Sequence, residues 1–223
     1  MHRKAIVHLK RADPALARVI ERVGPCRLEA RAVGTHFDAV ARAIIYQQLS
    51  GKAAGTIHGR FHGLYGDRPP TPAEVLATPL ETLRSVGLSR QKIGYLRDLA
   101  ERVASGALPI DSLHELGDDE IMGALTGVRG VGRWTAQMFL MFRLGRPDVL
   151  PDLDLGIRKA IMLAYGMRAM PTSKQVAEVG VRWSPYATVA SWYLWRSIDE
   201  PAKVAKPARV AKSARRVIRV GDG

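Results

Sequence analysis

The sequence predicts an all-α fold. Three observations carry that expectation. Apolar residues recur at helical spacing in segment after segment, residues that cap helices stand ahead of those segments, and nothing alternates with period two for long enough to suggest a sheet. In chain order, Asp13-Pro14 pairs an N-cap with proline at the first helical position. Phe37, Val40, Ala41, Ile44, Ile45 and Gln48 then follow helical spacing, an amphipathic helix of about three turns. Ser50 caps a helix from Gly51 to about Tyr65, Gly66 to Pro72 reads as loop, and Thr71-Pro72 opens a short helix. Ser89 caps the next, with Ile93, Leu96, Leu99, Ala100 and Val103 on one face and Gly106 at its end. Asp118 begins a helix toward Leu125. Arg133 to about Leu144 is apolar nearly all round, the pattern of a central helix buried on all sides. Helices from about Asp154, Thr172 and Pro185 complete the set, and no repeat of fixed period is present.

At 223 residues the chain suits one domain or two small lobes sharing a core. No apolar run reaches the roughly 18 residues that a membrane helix needs, and MHRKAIVHLK lacks the apolar region of a signal peptide. Cys26 stands alone, which excludes an intrachain disulfide and a four-cysteine cluster. A cytoplasmic, nucleoid-associated protein without a membrane partner is expected. The net charge of +13 favours a polyanionic partner through counterion release. Seven Lys or Arg residues in 201–223, set against Asp222, carry +6 of it, so the body is basic as well. That final stretch is rich in Ala, Lys, Arg and Val. It reads as a flexible basic tail, either a phosphate contact or an inert solvated end.

The segment from Leu125 to Ala136, LTGVRGVGRWTA, is the most informative. A helix ends near Leu125, a glycine-rich turn follows, and another helix begins at about Arg133. Gly130 and Gly132 allow a tight turn and let a phosphate approach with no Cβ in the way. The amides around Val131, Gly132 and Arg133 would sit unpaired at a helix N-terminus, an anion site that reads no base. The pattern L-x-G-V-x-G-V-G-R-x-T-A resembles the helix–hairpin–helix element of DNA repair and replication proteins. A plain helix–turn–helix connection with a glycine C-cap is the alternative. The resemblance further implies a structural monovalent cation held by the carbonyls of Thr126, Val128 and Val131.

Past the central helix the chain reads VLPDLDLGIRK, and Asp154 lies twenty residues after Trp134, ahead of another helix. By residue type alone Asp154 is an N-cap before Leu-Gly-Ile or a reactive carboxylate. Residues 13–199 resemble the DNA glycosylase superfamily built on this hairpin and one following acid. Within it they are similar to the alkylation-repair branch, the 3-methyladenine DNA glycosylase II type. Ile44-Ile-Tyr-Gln-Gln-Leu-Ser50, Gly87-Leu-Ser-x-x-Lys-x-x-Tyr-Leu-x-x-Leu-Ala100 and Arg182-Trp-Ser-Pro-Tyr186 with Trp192 to Trp195 extend the match. The resemblance makes Asp154 catalytic. Its carboxylate would stabilise positive charge on the deoxyribose and orient or deprotonate water. Asp152 competes for the role, but with no Glu nearby the D-x-D pair is a poor cation cage, and Asp152 is assigned to the loop or to support.

Trp134 stands where bifunctional relatives carry a lysine, so no Schiff base and no lyase step are expected. An alkylated base is often cationic and already a good leaving group. Flipped from the duplex, it would be held by stacking and cation–π attraction. The resemblance places Trp134 and Trp195 in that pocket, with Met138 one turn from Trp134, although Trp and Met at helical spacing also suit a core. Gln47 or Gln48 would fill the gap in the duplex, where some relatives use leucine. Gln48 on the apolar face is alternatively a satisfied, partly buried side chain. His58 and His62, spaced i, i+4, could bind a metal, but no third ligand is near in sequence and zinc is not expected. About a dozen residues precede Asp13, so the β-rich domain that some relatives carry ahead of the helices is not expected.

The resemblance implies two helical lobes flanking a central cleft. Residues 51–151 would form one lobe with the hairpin. Residues 1–50 and 152–200 would pair into the other, with 201–223 as tail. The expected function is a monofunctional glycosylase for alkylated bases, acting as a monomer on double-stranded DNA without a catalytic cofactor or iron–sulfur cluster. The alternatives are a non-catalytic helix–hairpin–helix DNA-binding protein and a glycosylase for oxidised or mismatched bases.

Overall fold

A computed structural model describes residues 2–30 and 34–199, and its regular structure there is helical throughout. The basic tail lies outside the described residues. The helices are α1 (Arg3–Ala12), α2 (Pro14–Val23), α3 (His36–Tyr46), α4 (Gly51–Gly63), α5 (Pro72–Ala77), α6 (Leu80–Ser85) and α7 (Arg90–Ala104). A 3-10 turn at Ile110–Glu115 leads to α8 (Asp118–Thr126) and α9 (Arg133–Phe142). Beyond them come α10 (Leu155–Ala164), α11 (Ser173–Gly180), a 3-10 turn at Val181–Trp183 and α12 (Ala187–Asp199). Asp13, Ser50, Thr71 and Ser89 each accept backbone N–H bonds at the helix starts that their positions predict. The sequence reading passed over α1. Its N-cap position, His2, makes no side-chain cap, and only Ala5 and Leu9 of its ten residues are buried.

Two cores form. One runs from Phe37 to Val149 and gathers the apolar faces of α3 to α9. The other joins α1 and α2 to α10, α11 and α12, with Leu9, Leu16, Ile161, Trp183 and Tyr193 fully or almost fully enclosed. The boundary expected at residue 50 is therefore corrected. The α3 stripe of Phe37, Val40, Ala41, Ile44 and Ile45 packs in the first core, so α3 belongs with the central lobe. Asp13 ties the second lobe together. Its buried carboxylate caps α2 through the Ala15 and Leu16 amides and accepts the Trp183 indole N–H at 2.8 Å and the Tyr165 hydroxyl.

Polar contacts at the seam between the lobes set the direction of the chain toward the site. The Thr188 hydroxyl donates to the Arg146 carbonyl at 2.7 Å and accepts the Val149 amide at 2.9 Å. Asp148 accepts the Ala187 amide at the start of α12. Phe142 and Trp195 pack against both cores, their rings 5.9 Å apart.

Candidate active site

The hairpin between α8 and α9 is held from α7. Tyr95 lies over Gly130, where a Cβ would come within 2.2 Å of the ring, and Gly130 has φ +81. Its lack of a side chain thus serves the tight turn expected from the sequence and, in addition, the Tyr95 contact, which the sequence did not show. Asp98 accepts the Arg129 backbone N–H at 2.8 Å and the Arg129 guanidinium at 3.1 Å, fixing the hairpin tip. Burial raises the Asp98 carboxyl, but these bonds and the Arg102 guanidinium hold it below its ordinary pKa. Lys92 donates to the carbonyls of Ile45 at 2.7 Å and Gln47 at 2.8 Å, closing the end of α3.

The Val131 amide, which the sequence predicts to be unpaired, instead donates to the Val128 carbonyl at 3.0 Å. The open amides lie one step later. The first bond of α9 runs from Ala136 to the Gly132 carbonyl, Gly132 makes no side-chain cap, and a Cβ there would meet nothing within 4 Å. Gly132 and the first turn of α9 are exposed, so this helix is buried only from Ala136 onward, not on all sides. Arg133, Trp134 and Gln137 reach the segment that follows α9. Gln137 donates to the Leu150 carbonyl at 2.9 Å, Arg133 pairs with buried Asp152 at 2.9 Å, and the Trp134 indole N–H reaches Asp154 at 2.8 Å. Three side chains of one helix meet alternate residues of one turn.

That turn delivers the carboxylate of Asp154. Oδ1 accepts the Ile157 amide at 2.8 Å, capping α10, and the Trp195 indole N–H at 2.9 Å. Oδ2 accepts the Trp134 indole N–H. Capping and convergence with the two tryptophans coexist in one side chain. Gly156 makes room for them, since a Cβ there would stand 3.0 Å from Asp154 Oδ1 and 3.1 Å from the Trp195 ring. Trp134 is 49% exposed, a large aromatic surface left open beside a carboxylate. Trp195 is partly buried against Phe142, and Met138 packs against the first core from a partly buried position. Exposed Leu153 and Leu155 flank Asp154. Asp152 also accepts the Ser173 hydroxyl, which places it in support of the turn and of Arg133.

The glutamine pair separates. Gln47 follows the last residue of α3 and donates to the Gly130 carbonyl at 2.8 Å, bridging to the hairpin. Gln48 has left the helix with φ +57 and is exposed, so it is not on the apolar face counted from the sequence. The helix stops short because Lys92 takes the carbonyls of Ile45 and Gln47. Thr126 ends α8 with its hydroxyl turned onto the Met122 carbonyl, and Val128 and Val131 are buried. His58 and His62 acquire a partner from α3, Asp38, which sequence proximity did not show. Lys92, Tyr95, Asp98 and Gly156 are the site-building residues that sequence reasoning left without roles. The first two lay inside a quoted motif, and a glycine in the first turn of a helix was the signal for the last.

The sequence matches the family model described as HhH-GPD superfamily base excision DNA repair protein over residues 41–185. It is 34% identical over 197 residues to DNA-3-methyladenine glycosylase 1 of Schizosaccharomyces pombe, covering 87% of this chain and 86% of that protein. The fold is similar to a Schizosaccharomyces pombe 3-methyladenine DNA glycosylase solved with abasic DNA, at a TM-score of 0.76 and 33% identity, over 86% of this chain and 95% of that one. A DNA-3-methyladenine glycosidase from Bacillus halodurans superposes with a TM-score of 0.77 at 35% identity, over 85% of this chain and 86% of that one.

Proposed function

This chain belongs to the HhH-GPD superfamily of base excision DNA repair proteins, and we propose from that membership that it excises alkylated bases by hydrolysis, without lyase chemistry. The observation that carries the reading is the Asp154 carboxylate held by two indole N–H groups and a helix amide, with the half-exposed Trp134 ring beside it. Relatives over nearly the whole chain are DNA-3-methyladenine glycosylases, and one was solved on abasic DNA.

In this reading the flipped base stacks on Trp134, and Trp195 and Met138 border the pocket. The base leaves with the electron pair of the glycosidic bond, and positive charge builds on the deoxyribose next to Asp154. Water then adds to the sugar carbon and gives up its proton, with Asp154 as the nearest base. A cationic base needs no strong acid to leave. An indole offers no amine for a Schiff base, which supports simple hydrolysis. Gly132, Arg133 and the open first-turn amides of α9 are assigned to a phosphate, and Val131 shapes the turn beneath them. Gln48, exposed and off the helix, is assigned to the gap left in the duplex, and Gln47 to holding the hairpin. The carbonyls of Thr126, Val128 and Val131 are neutral oxygen donors suited to a monovalent cation, and the Val128 carbonyl, which accepts the Val131 amide, keeps a second lone pair for it.

A panel of duplexes, each with one defined lesion, tests the proposal. Cationic alkylated purines should be released, leaving abasic sites that break only on alkali treatment. Borohydride should trap no protein on the DNA. Efficient trapping would overturn the hydrolytic reading, and release confined to oxidised bases would overturn the substrate class.

A further inference from the structure

His58 and His62 stand one turn apart on α4, and both aim Nε2 at the same oxygen of Asp38 on α3. The distances to Oδ1 are 3.3 Å from His58 and 2.7 Å from His62. The rings lie 4.1 Å apart centre to centre, tilted by 53°. The three side chains are only 12 to 18% exposed, so they are sheltered yet reached by water. One ligand atom from each lies within 4.8 Å of the others, the only such group among the described residues.

We propose that Asp38, His58 and His62 form a binding site for a divalent transition cation such as Zn2+, distinct from the Asp154 site. With metal–nitrogen and metal–oxygen bonds of about 2.0–2.2 Å, neighbouring ligand atoms of a tetrahedral ion lie roughly 3.3 Å apart. The His58–Asp38 pair already has that spacing at 3.3 Å, and the His62–Asp38 pair, at 2.7 Å, would have to open by about 0.6 Å to admit the ion. Two imidazoles and one carboxylate suit Zn2+, Co2+ or Ni2+ far better than Mg2+ or Ca2+, which prefer all-oxygen shells. A fourth position would fall to water.

Such an ion would be structural. It would staple α3 to α4, the two helices that flank the turn of Gln47, Gln48 and Leu49. No partner of Asp154 belongs to the cluster. The sequence hid the site because its third ligand lies twenty residues before the first histidine.

Calorimetric titration of the untagged, chelator-treated full chain with Zn2+ tests the proposal. One equivalent should bind, thermal melting should rise by several degrees, and Mg2+ should do neither. Replacing Zn2+ with Co2+ should give visible absorption of a four- or five-coordinate ion with nitrogen ligands. H62Q and D38N should each weaken binding at least tenfold while the metal-free variants still release base at the wild-type rate. H58Q provides a further variant if H62Q folds poorly, and the Co2+ spectrum of the wild type needs no variant. No saturable binding at one equivalent, or undiminished binding in folded H62Q or H58Q, would overturn the site. A histidine pair that only hydrogen-bonds Asp38 gives that result.

Discussion

At the scale of single residues, Asp154 combines a helix cap with two converging indole N–H donors, so the cap does not exclude the reactive role proposed for it. One oxygen caps α10 through Ile157, and both oxygens are aimed by the two tryptophan N–H groups. Trp134 thus carries two separable functions, an aromatic surface and a hydrogen-bond donor. W134F should keep most of the stacking and lose the donor, whereas W134A should lose both. Single-turnover release of a cationic purine should fall modestly in W134F and further in W134A, by the equivalent of about 1–3 kcal/mol of stacking. Equal losses in both would assign the whole effect to the hydrogen bond. Gly156 supplies a second test, because a side chain there would meet Asp154 and Trp195. In G156A a helix-propensity gain of up to about 1 kcal/mol offsets the crowding, so the protein should still fold and melt near the wild type. The added Cβ crowds Asp154 and Trp195, so release should slow roughly tenfold or more.

At the scale of elements, the two hairpin glycines differ in surroundings, Gly130 facing protein and Gly132 facing open space. Gly130 has a left-handed φ and the Tyr95 ring against it, so G130A should destabilise by about 1–3 kcal/mol, read in thermal melts. Gly132 faces open space, so G132A should melt like the wild type. Its duplex affinity should drop by a similar factor on damaged and undamaged DNA, since a phosphate contact is blind to the base. A G132A protein that discriminates against damaged DNA alone would move Gly132 into the base pocket. The hairpin itself was legible from the Gly-Val-Gly core between helices. Which glycine faces protein and which faces solvent was not, because Tyr95 approaches from thirty-five residues away. The same holds for the end of α3. Periodicity carried the helix through Gln48, but Lys92 withdraws two carbonyls from it, a tertiary contact that no local pattern contains. That Trp134 and Asp154 belong to one site came from the family resemblance, since by residue type alone Asp154 read equally well as an N-cap, and Gly156 was passed over as a routine part of the block after the acid.

At the scale of the whole molecule, the all-helical class and the two-lobed plan were readable from caps and periodicity together with the family resemblance. The lobe that holds α3 was not readable, since an amphipathic helix shows which face it buries and not against what. The second lobe depends on buried Asp13. Burial raises its carboxyl, but the Tyr165, Trp183 and backbone hydrogen bonds hold it below the ordinary value of 3.8. A lowered folded-state pKa means that the unfolded chain binds the proton first. The stability that Asp13 contributes is therefore complete above about pH 4 and is lost as pH falls through the folded value. Urea unfolding at several pH values should show D13N less stable than the wild type at pH 7, with the gap closing below pH 4. A constant gap would place the effect in packing alone.

In the proposed mechanism Asp154 acts on the transition state while the hairpin supplies affinity, and D154N separates the two. Asparagine still accepts the helix amide and an indole N–H, so the turn and α10 should stand. Single-turnover base release and duplex affinity, measured on the same lesion-bearing duplex, separate the two contributions. Release should slow by about a hundredfold or more, with affinity within a small factor of the wild type. Near-normal release by a folded D154N protein would contradict it.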